Sequence, residues 1–438
     1  MPFSTLGLSS ALVRAANALG YIEPTPIQVQ AIPTILKGGD VLGRAQTGSG
    51  KTAAFCLPLL QALQDSTRPH SRSSIKTLIL VPTRELAAQV GEVIHGIAQH
   101  LPVAVKTTVV FGGVSINPQM MGLRGGADIV VATPGRLLDL LDQNALTLAN
   151  ITTLVLDEAD RLLDLGFSDE LTRIISLLPL QRQSLFFSAT FEPSVQALAN
   201  ALLLNPTRVE VETTAETLPD IAQRAIEVDP SRRTQLLRHL IVQNKWPRVL
   251  VFVATKHAAE IVADKLRKAD IWAEPFHGTL SQGKRTQVLH DFKSSGLEAV
   301  SGVKGVQVVV ATDLAARGID IAELPVVVNY DLPRATTDYV HRIGRTARAG
   351  ESGIAVSFIS RDTAAHFALI EKRFDLNLTR EQIAGFEPVA VDAFDAPVVT
   401  GVDAPRNATS APGTGGIKGK RPSKKDKLRA AAEHLLAK

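Results

Sequence analysis

The chain holds a single cysteine, Cys56, among 438 residues. No intramolecular disulfide can form, and no cysteine-based metal cluster can be built. Cys56 itself, just past a glycine-rich turn, reads as a small buried hydrophobe. Aromatics are scarce too, at 5% of residues, with two Trp and three Tyr, which excludes an extensive base-stacking surface. No run of eighteen or more apolar residues occurs, so no membrane-spanning helix is expected. The start, Met1-Pro2-Phe3-Ser4, lacks the basic and apolar regions of a secretory signal. A reducing, cytoplasmic compartment is the simplest expectation, and no internal repeat is visible.

Charge of one sign is also missing from most of the chain. The total is +4, but residues 418–438 carry eight Lys or Arg against Asp426 and Glu433, a local +6, which leaves −2 for everything before them. Any nucleic-acid site on the body must therefore be a local groove, not a global positive field.

What the sequence does contain is alternation. Short β-rich runs fall near 41–45, 77–81, 105–111, 128–133, 153–157, 184–190 and 208–211, then near 224–228, 248–253, 273–277, 306–312, 326–331 and 353–359. Many are continuous Val/Ile/Leu stretches such as Val308-Val309-Val310, the pattern of strands buried on both faces. Helical stretches such as 85–99 and 256–269 separate them. The fold class is therefore α/β, with two tandem doubly wound parallel-sheet domains. Expected boundaries are 1–210 and 221–388, with the polar, aperiodic 211–220 as linker. Residues 389–438 lose periodicity, become rich in Pro, Gly, Ser and Thr, and end in the basic block. A disordered basic tail is expected there.

Two segments carry chemistry. Ala45-Gln46-Thr47-Gly48-Ser49-Gly50-Lys51-Thr52 follows the apolar strand at 41. It is a P-loop: glycines let backbone N–H groups face a β-phosphate, Lys51 reaches the β- and γ-phosphates, and the Thr52 hydroxyl suits Mg²⁺. The helix starting there adds its N-terminal dipole. Ala45 stands where the general pattern has its first Gly. Downstream, Thr153-Leu154-Val155-Leu156 delivers Asp157-Glu158-Ala159-Asp160. Asp157, at the carboxyl end of a buried strand, is placed to hold Mg²⁺, and Glu158 to orient or deprotonate an attacking water. ATP and Mg²⁺ are the expected cofactors.

Asp157–Asp160 spells D-E-A-D, and with the rest of residues 1–388 the chain resembles the DEAD-box family of ATP-dependent RNA helicases, whose fold is a pair of RecA-like domains. Gly20 to Gln28 (Gly-Tyr-Ile-Glu-Pro-Thr-Pro-Ile-Gln) is similar to the family's adenine-reading motif. The resemblance implies that Gln28 reads the adenine edge, that Tyr21 lies against the base, and that Phe3 is the isolated upstream aromatic. Pro82-Thr83-Arg84-Glu85-Leu86, Gly112-Gly113 and Thr133-Pro134-Gly135-Arg136 are similar to RNA-contacting motifs. That implies backbone contacts through Pro82, Thr83, Arg84, Gly113, Thr133, Pro134 and Arg136. Ser188-Ala189-Thr190 resembles the motif that couples hydrolysis to strand separation, with Asp160 and His341 in the same role. In the second half, Ser281-Gln282-Gly283-Lys284-Arg285 implies Arg285 as a phosphate ligand. Ala311 to Asp320 implies Thr312 on RNA and Asp320 on the ATP ribose. His341-Arg342-Ile343-Gly344-Arg345-Thr346-Ala347-Arg348 implies Arg345 and Arg348 as arginine fingers. Three residues apart, they are expected to point the same way from one helical turn.

Two departures from the family stand out. Ala347 replaces the usual Gly, with little effect expected. The stretch from Phe292 to Ala311 is roughly ten residues longer than usual, and it enters a parallel strand on the edge away from the ATP cleft. The minimal N-terminus resembles bacterial-type members, and a monomer acting on single-stranded and duplex RNA is expected. A DNA translocase on the same fold, or a protein that uses ATP only to lock onto RNA, remain open at this level.

Overall fold

In the computed structural model the described residues are 2–45, 49–65, 74–210, 221–294, 305–316, 324–346 and 353–389. The expected linker, the lengthened 295–304 stretch and the basic tail lie outside them, as do Thr47, Gly48, Asp320, Ala347 and Arg348.

Each continuous apolar run in the sequence becomes a short parallel strand, because only a strand covered by helices on both faces can bury side chains that alternate inward on either side. The first sheet holds β1 (Val41–Arg44), β2 (Thr77–Leu80), β3 (Thr107–Val110), β4 (Ile129–Ala132), β5 (Thr153–Leu156), β6 (Gln183–Ser188) and β7 (Thr207–Glu210). The second holds β8 (Ile221–Glu227), β9 (Val249–Val253), β10 (Ala273–Phe276), β11 (Val308–Thr312), β12 (Val326–Asn329), β13 (Gly353–Ile359) and the two-residue β14 (Arg380–Glu381). Every expected strand is present; only β14 was not foreseen.

The strand orders are β3-β4-β2-β5-β6-β1-β7 and β10-β11-β9-β12-β13-β8-β14, all parallel. Counted from the start of each sheet, the two orders are identical. Both reverse direction between first and later strands, which opens a crevice at the carboxyl ends.

Alternation divides each core into layers. Val41, Ile79, Val131, Val155 and Phe187 face one helical layer of the first lobe, and Leu42, Leu80, Val130, Leu154 and Phe186 face the other. In the second lobe Val249, Val251, Val310 and Val328 face one layer, and Leu250, Phe252, Val309 and Val327 the other. Cys56 is fully buried on the helix Lys51–Gln64 and unpaired, and burial pushes its thiol pKa well above the usual value. No helix among the described residues is long and apolar enough to cross a membrane. Both sheets belong to one compact unit, Met1–Val389.

Candidate nucleotide and RNA site

The parallel strands of each sheet end on one edge, so the loops that follow them share that edge. In the first lobe it gathers the P-loop after β1, Pro82 to Arg84 after β2, Gly112-Gly113 after β3, Thr133 to Arg136 after β4, Asp157 to Asp160 after β5 and Ser188 to Thr190 at the end of β6.

Within the P-loop, Gly50 has φ +91°, and a β-carbon there would lie 2.5 Å from Gln28 Nε2 and 2.8 Å from Thr25 Oγ1. Glycine is required on both counts. Gln28 ties this turn to the helix Pro26–Leu36: its Nε2 donates to the Gly50 carbonyl at 3.1 Å, and its Oε1 accepts from Thr25 N at 2.9 Å. Each of those atoms keeps one further hydrogen-bonding position. Lys51 is buried and donates from Nζ to the Ala45 carbonyl at 2.8 Å. Tyr21 and Thr52 are partly exposed, whereas Phe3 is buried in the core beneath.

Asp157 is almost fully buried, and its pKa is pushed up to about 6. Burial is the main cause; Lys51 opposes it and Glu158 adds to it. Glu158 has φ +52°, strained for a residue with a side chain, and its carboxylate pairs with Arg161 at 3.1 Å, with both side chains buried. Asp160 Oδ2 accepts from both the N–H and the Oγ1 of Thr190, each at 3.1 Å, and Ser188 Oγ donates to the Thr190 carbonyl at 2.7 Å. The carboxylate cluster and the Ser-Ala-Thr segment are thus physically joined.

These residues fit a magnesium nucleotide. The glycine cradle leaves no room for a side chain, and the buried Asp157 carboxylate lies within electrostatic reach of the buried Lys51 ammonium. Among the described residues no three His, Cys, Asp or Glu side chains converge on one point. Mg²⁺ is commonly held by one or two protein oxygens plus phosphates, and Asp157 and the Thr52 hydroxyl are the protein oxygens that would hold it.

The second lobe brings its own groups to the first. Arg161 of the first lobe shares a small cleft with Phe252, Asp313, His341, Arg342 and Arg345 of the second. His341 has its pKa pushed down to about 3 by burial and by Arg161, against the opposing pull of Asp160. Arg345 is buried but not helical. The helix Thr336–Ile343 stops two residues earlier, and Thr346 forms a bridge to Leu324. The expected single helical turn carrying Arg345 and Arg348 is therefore not present at Arg345, because Gly344 ends the helix and Thr346 is drawn to Leu324 by an isolated bridge; Arg348 lies outside the described residues.

On the neighbouring stretch of the cleft, Thr83 caps the helix Arg84–Ala98. Glu85, next to Arg84, reaches across the lobes. It pairs with Arg285 at 3.0 Å and accepts from Gln282 Nε2 at 3.2 Å, with both charged partners buried. The Arg285 guanidinium also lies 4.9 Å from the Phe276 ring centre. In this arrangement Arg285 ties the lobes together. Thr312, at the end of β11, is partly exposed.

Three functional-site neighbours carried no expectation from the sequence. Arg161 holds Glu158, and its place three residues on at a helix start was the available signal. Glu85 sits inside a quoted motif. Arg342 is buried and grips Asp313 through two bonds of 2.6 and 2.7 Å, Asn329 at 3.0 Å and the Asp331 carbonyl at 2.6 Å, with its guanidinium 4.8 Å from the Phe252 ring centre. It locks the carboxyl end of β11 to the segment bearing Arg345.

Residues 25–198 match the family model described as DEAD/DEAH box helicase, and residues 232–350 match the helicase conserved C-terminal domain. The chain belongs to the DEAD-box family of ATP-dependent RNA helicases. It is 39% identical over 370 residues to the DEAD-box ATP-dependent RNA helicase CshA of Bacillus cereus, which covers 84% of this chain and 67% of that protein. It is 40% identical over 382 residues to the ATP-dependent rRNA helicase rrp3 of Emericella nidulans, 87% of this chain and 79% of that one. Among solved structures, S. cerevisiae Dbp5 bound to RNA and ADP BeF3 superposes with a TM-score of 0.75 at 30% identity, covering 87% of this chain and 95% of that one. Mss116p bound to single-stranded RNA and AMP-PNP gives 0.76 at 28% identity, covering 87% and 80%. The DEAD-box fold thus accounts for both parallel sheets, and the chain is an ATPase of the RNA helicase class.

Proposed function

We propose that this helicase is a closing clamp. It binds the backbone of a single RNA strand across both lobes and uses ATP hydrolysis for local, non-processive separation of short duplexes or remodelling of RNA–protein complexes. The observation that supports this best is the shared cleft, where Arg161 of the first lobe meets His341 and Arg345 of the second, with Asp160 in electrostatic reach of His341.

The division of labour follows from the chemistry. Gly50, Ser49, Lys51 and the preceding Thr47 and Gly48 hold the phosphates; Gln28 and Tyr21 hold the base, with Phe3 packed beneath. Thr52 and Asp157 hold Mg²⁺, which when bound neutralises charge on the phosphoryl group. Glu158 orients the attacking water and takes its proton. Arg161 holds that carboxylate in place until the nucleotide arrives. Arg345 and Arg348 stabilise charge as it builds on the phosphoryl oxygens, and Asp320 contacts the ribose. Pro82, Thr83, Arg84, Gly113, Thr133, Pro134, Arg136 and Thr312 read phosphates and sugars, joined by Arg285 at the seam between the lobes. Ser188, Thr190, Asp160 and His341 transmit the state of one site to the other. Because both ligands favour the closed state, each strengthens binding of the other.

The lobes divide at residues 211–220, and the basic tail adds RNA affinity that falls with salt by about 0.7 log units per phosphate neutralised per log unit of salt. The test is ATP turnover with single-stranded RNA and with single-stranded DNA of the same sequence, alongside release of a short RNA duplex. Strong stimulation by RNA alone with ATP-dependent release of the duplex is expected. Equal stimulation by DNA would replace the reading with a DNA translocase, and stimulation without duplex release would leave an ATP-locked platform.

A further inference from the structure

The strand β3 is the edge of the first sheet, and its ladder with β4 ends when Thr133 N donates to the Val110 carbonyl at 3.1 Å. Phe111 comes next. Its N–H and C=O would be left without a strand partner just as the chain enters the Gly112-Gly113 turn. Instead, the side-chain amide of Gln119, on the helix Asn117–Leu123, pairs with both. Oε1 accepts from Phe111 N at 3.2 Å, and Nε2 donates to the Phe111 carbonyl at 3.0 Å. One amide thereby imitates the neighbouring strand the edge lacks.

Two arginines close on the rest of that turn, one by packing and one by a hydrogen bond. Gly113 has φ +77°, and a β-carbon on it would lie 2.1 Å from the Arg84 guanidinium. Arg136 Nη2 donates to the Val114 carbonyl at 2.8 Å, while its Nη1 is buried without a hydrogen-bond partner. The turn is thus the meeting point of three separate backbone-reading segments. Arg84 and Arg136 are cations, and a phosphodiester can draw them away. Gln119 is neutral and bonds only to backbone, so it is the fixed end of the loop.

We propose that Gln119 is a positioning residue for RNA: its amide holds Phe111 so that the Gly112–Val114 turn stays in the geometry that receives the strand. This rests on the clamp reading above. Without the amide, the turn must be ordered at the moment of binding, and that entropy is subtracted from affinity. Gln119 touches no phosphate, so the number of charges neutralised is unchanged.

The test is ATP turnover of the full chain against single-stranded RNA concentration for the wild type and Gln119→Leu, which keeps the bulk and removes both bonds. The expected result is a rise in half-saturating RNA of about tenfold, the scale of one or two neutral hydrogen bonds. Turnover at saturating RNA should be retained, the salt slope should be unchanged, and amide exchange in the 111–114 segment should be faster. Gln119→Glu keeps the acceptor for Phe111 N but opposes an oxygen to its carbonyl. It should shift half-saturation in the same direction, and it serves where the leucine variant does not fold. A lowered melting temperature with unchanged half-saturation would overturn the proposal and leave Gln119 as an edge cap only. A wild type that RNA does not stimulate would overturn the clamp itself, a result distinct from equal stimulation of both proteins.

Discussion

The two lobes share one strand order but furnish the same crevice in opposite ways. In the first, the residue that opens the helix after β1 is Lys51, and the acid after β5 is Asp157. In the second, the equivalent positions are Arg233, which opens the helix after β8, and Asp331, after β12. Even the ladder ends correspond: Ala45 N donates to the Ser188 carbonyl in one and Val228 N to the Ile359 carbonyl in the other. Yet Arg233 pairs directly with Asp331 at 2.8 Å, adds the Ser360 hydroxyl at 3.1 Å and lies over the Tyr330 ring. Lys51 instead bonds to a loop carbonyl, and Asp157 keeps a raised pKa. The second lobe has filled its crevice with its own ion pair. The first keeps its charges apart, and so has something to offer a magnesium nucleotide. Topology supplies a crevice in both; side-chain reach decides which one stays open.

The sharpest way to break this comparison is to remove the two cations in turn. Lys51→Ala should abolish ATP turnover while lowering denaturant stability little. Arg233→Ala should leave Asp331 uncompensated and cost about 2–3 kcal/mol in chemical denaturation, below the full range for a buried pair because Asp331 is partly exposed. Equal stability losses in the two variants would dissolve the contrast.

A smaller effect concerns the seam. Glu85→Ala leaves Arg285 buried without its partner in the closed form, so half-saturating RNA should rise by about ten- to thirtyfold, the scale of 1.4–2 kcal/mol. Melting of the RNA-free protein should change little. No change in half-saturation would mean that the Glu85–Arg285 pair does not stabilise closure.

His341 offers a pH test. Its pKa of about 3 lies below the unfolded value of 6.5, so between those limits the unfolded chain binds more protons and stability falls as the solution is acidified. His341→Gln should flatten that acid limb of the melting curve, and an unaltered limb would contradict its burial beside Arg161. Smallest of all should be deletion of residues 296–304. The described chain resumes at residue 305 and β11 begins at Val308, at the end of the strand away from the cleft, so ATP turnover should persist in the folded variant; its loss would place residues 296–304 in the chemistry.

Much of this was readable in the residues. Continuous valine runs announced strands buried on both faces, and a lysine after a glycine turn announced a phosphate cradle. The strand β14 escaped because two residues carry no periodicity; it is held by the Arg224–Glu381 pair at 2.6 Å instead of by apolar burial. The helical placement of Arg345 failed because spacing alone cannot register that Gly344 terminates the helix. Arg342, Arg233 and Gln119 were silent for a shared reason. Each acts through a partner that spacing does not reveal: Arg233 and Arg342 through acids 98 and 29 residues away, Gln119 through the backbone of Phe111, a group with no side-chain signature at all.

The central claim is that hydrolysis needs groups from both lobes at once. It is tested most directly by Arg345→Ala in the full chain, measuring ATP affinity and turnover at saturating RNA. An arginine finger supplies about 10³–10⁵ in rate, so turnover should fall by at least about a thousandfold while ATP affinity stays within about twofold. Turnover equal to the wild type, in a folded protein that still binds RNA, would contradict the account.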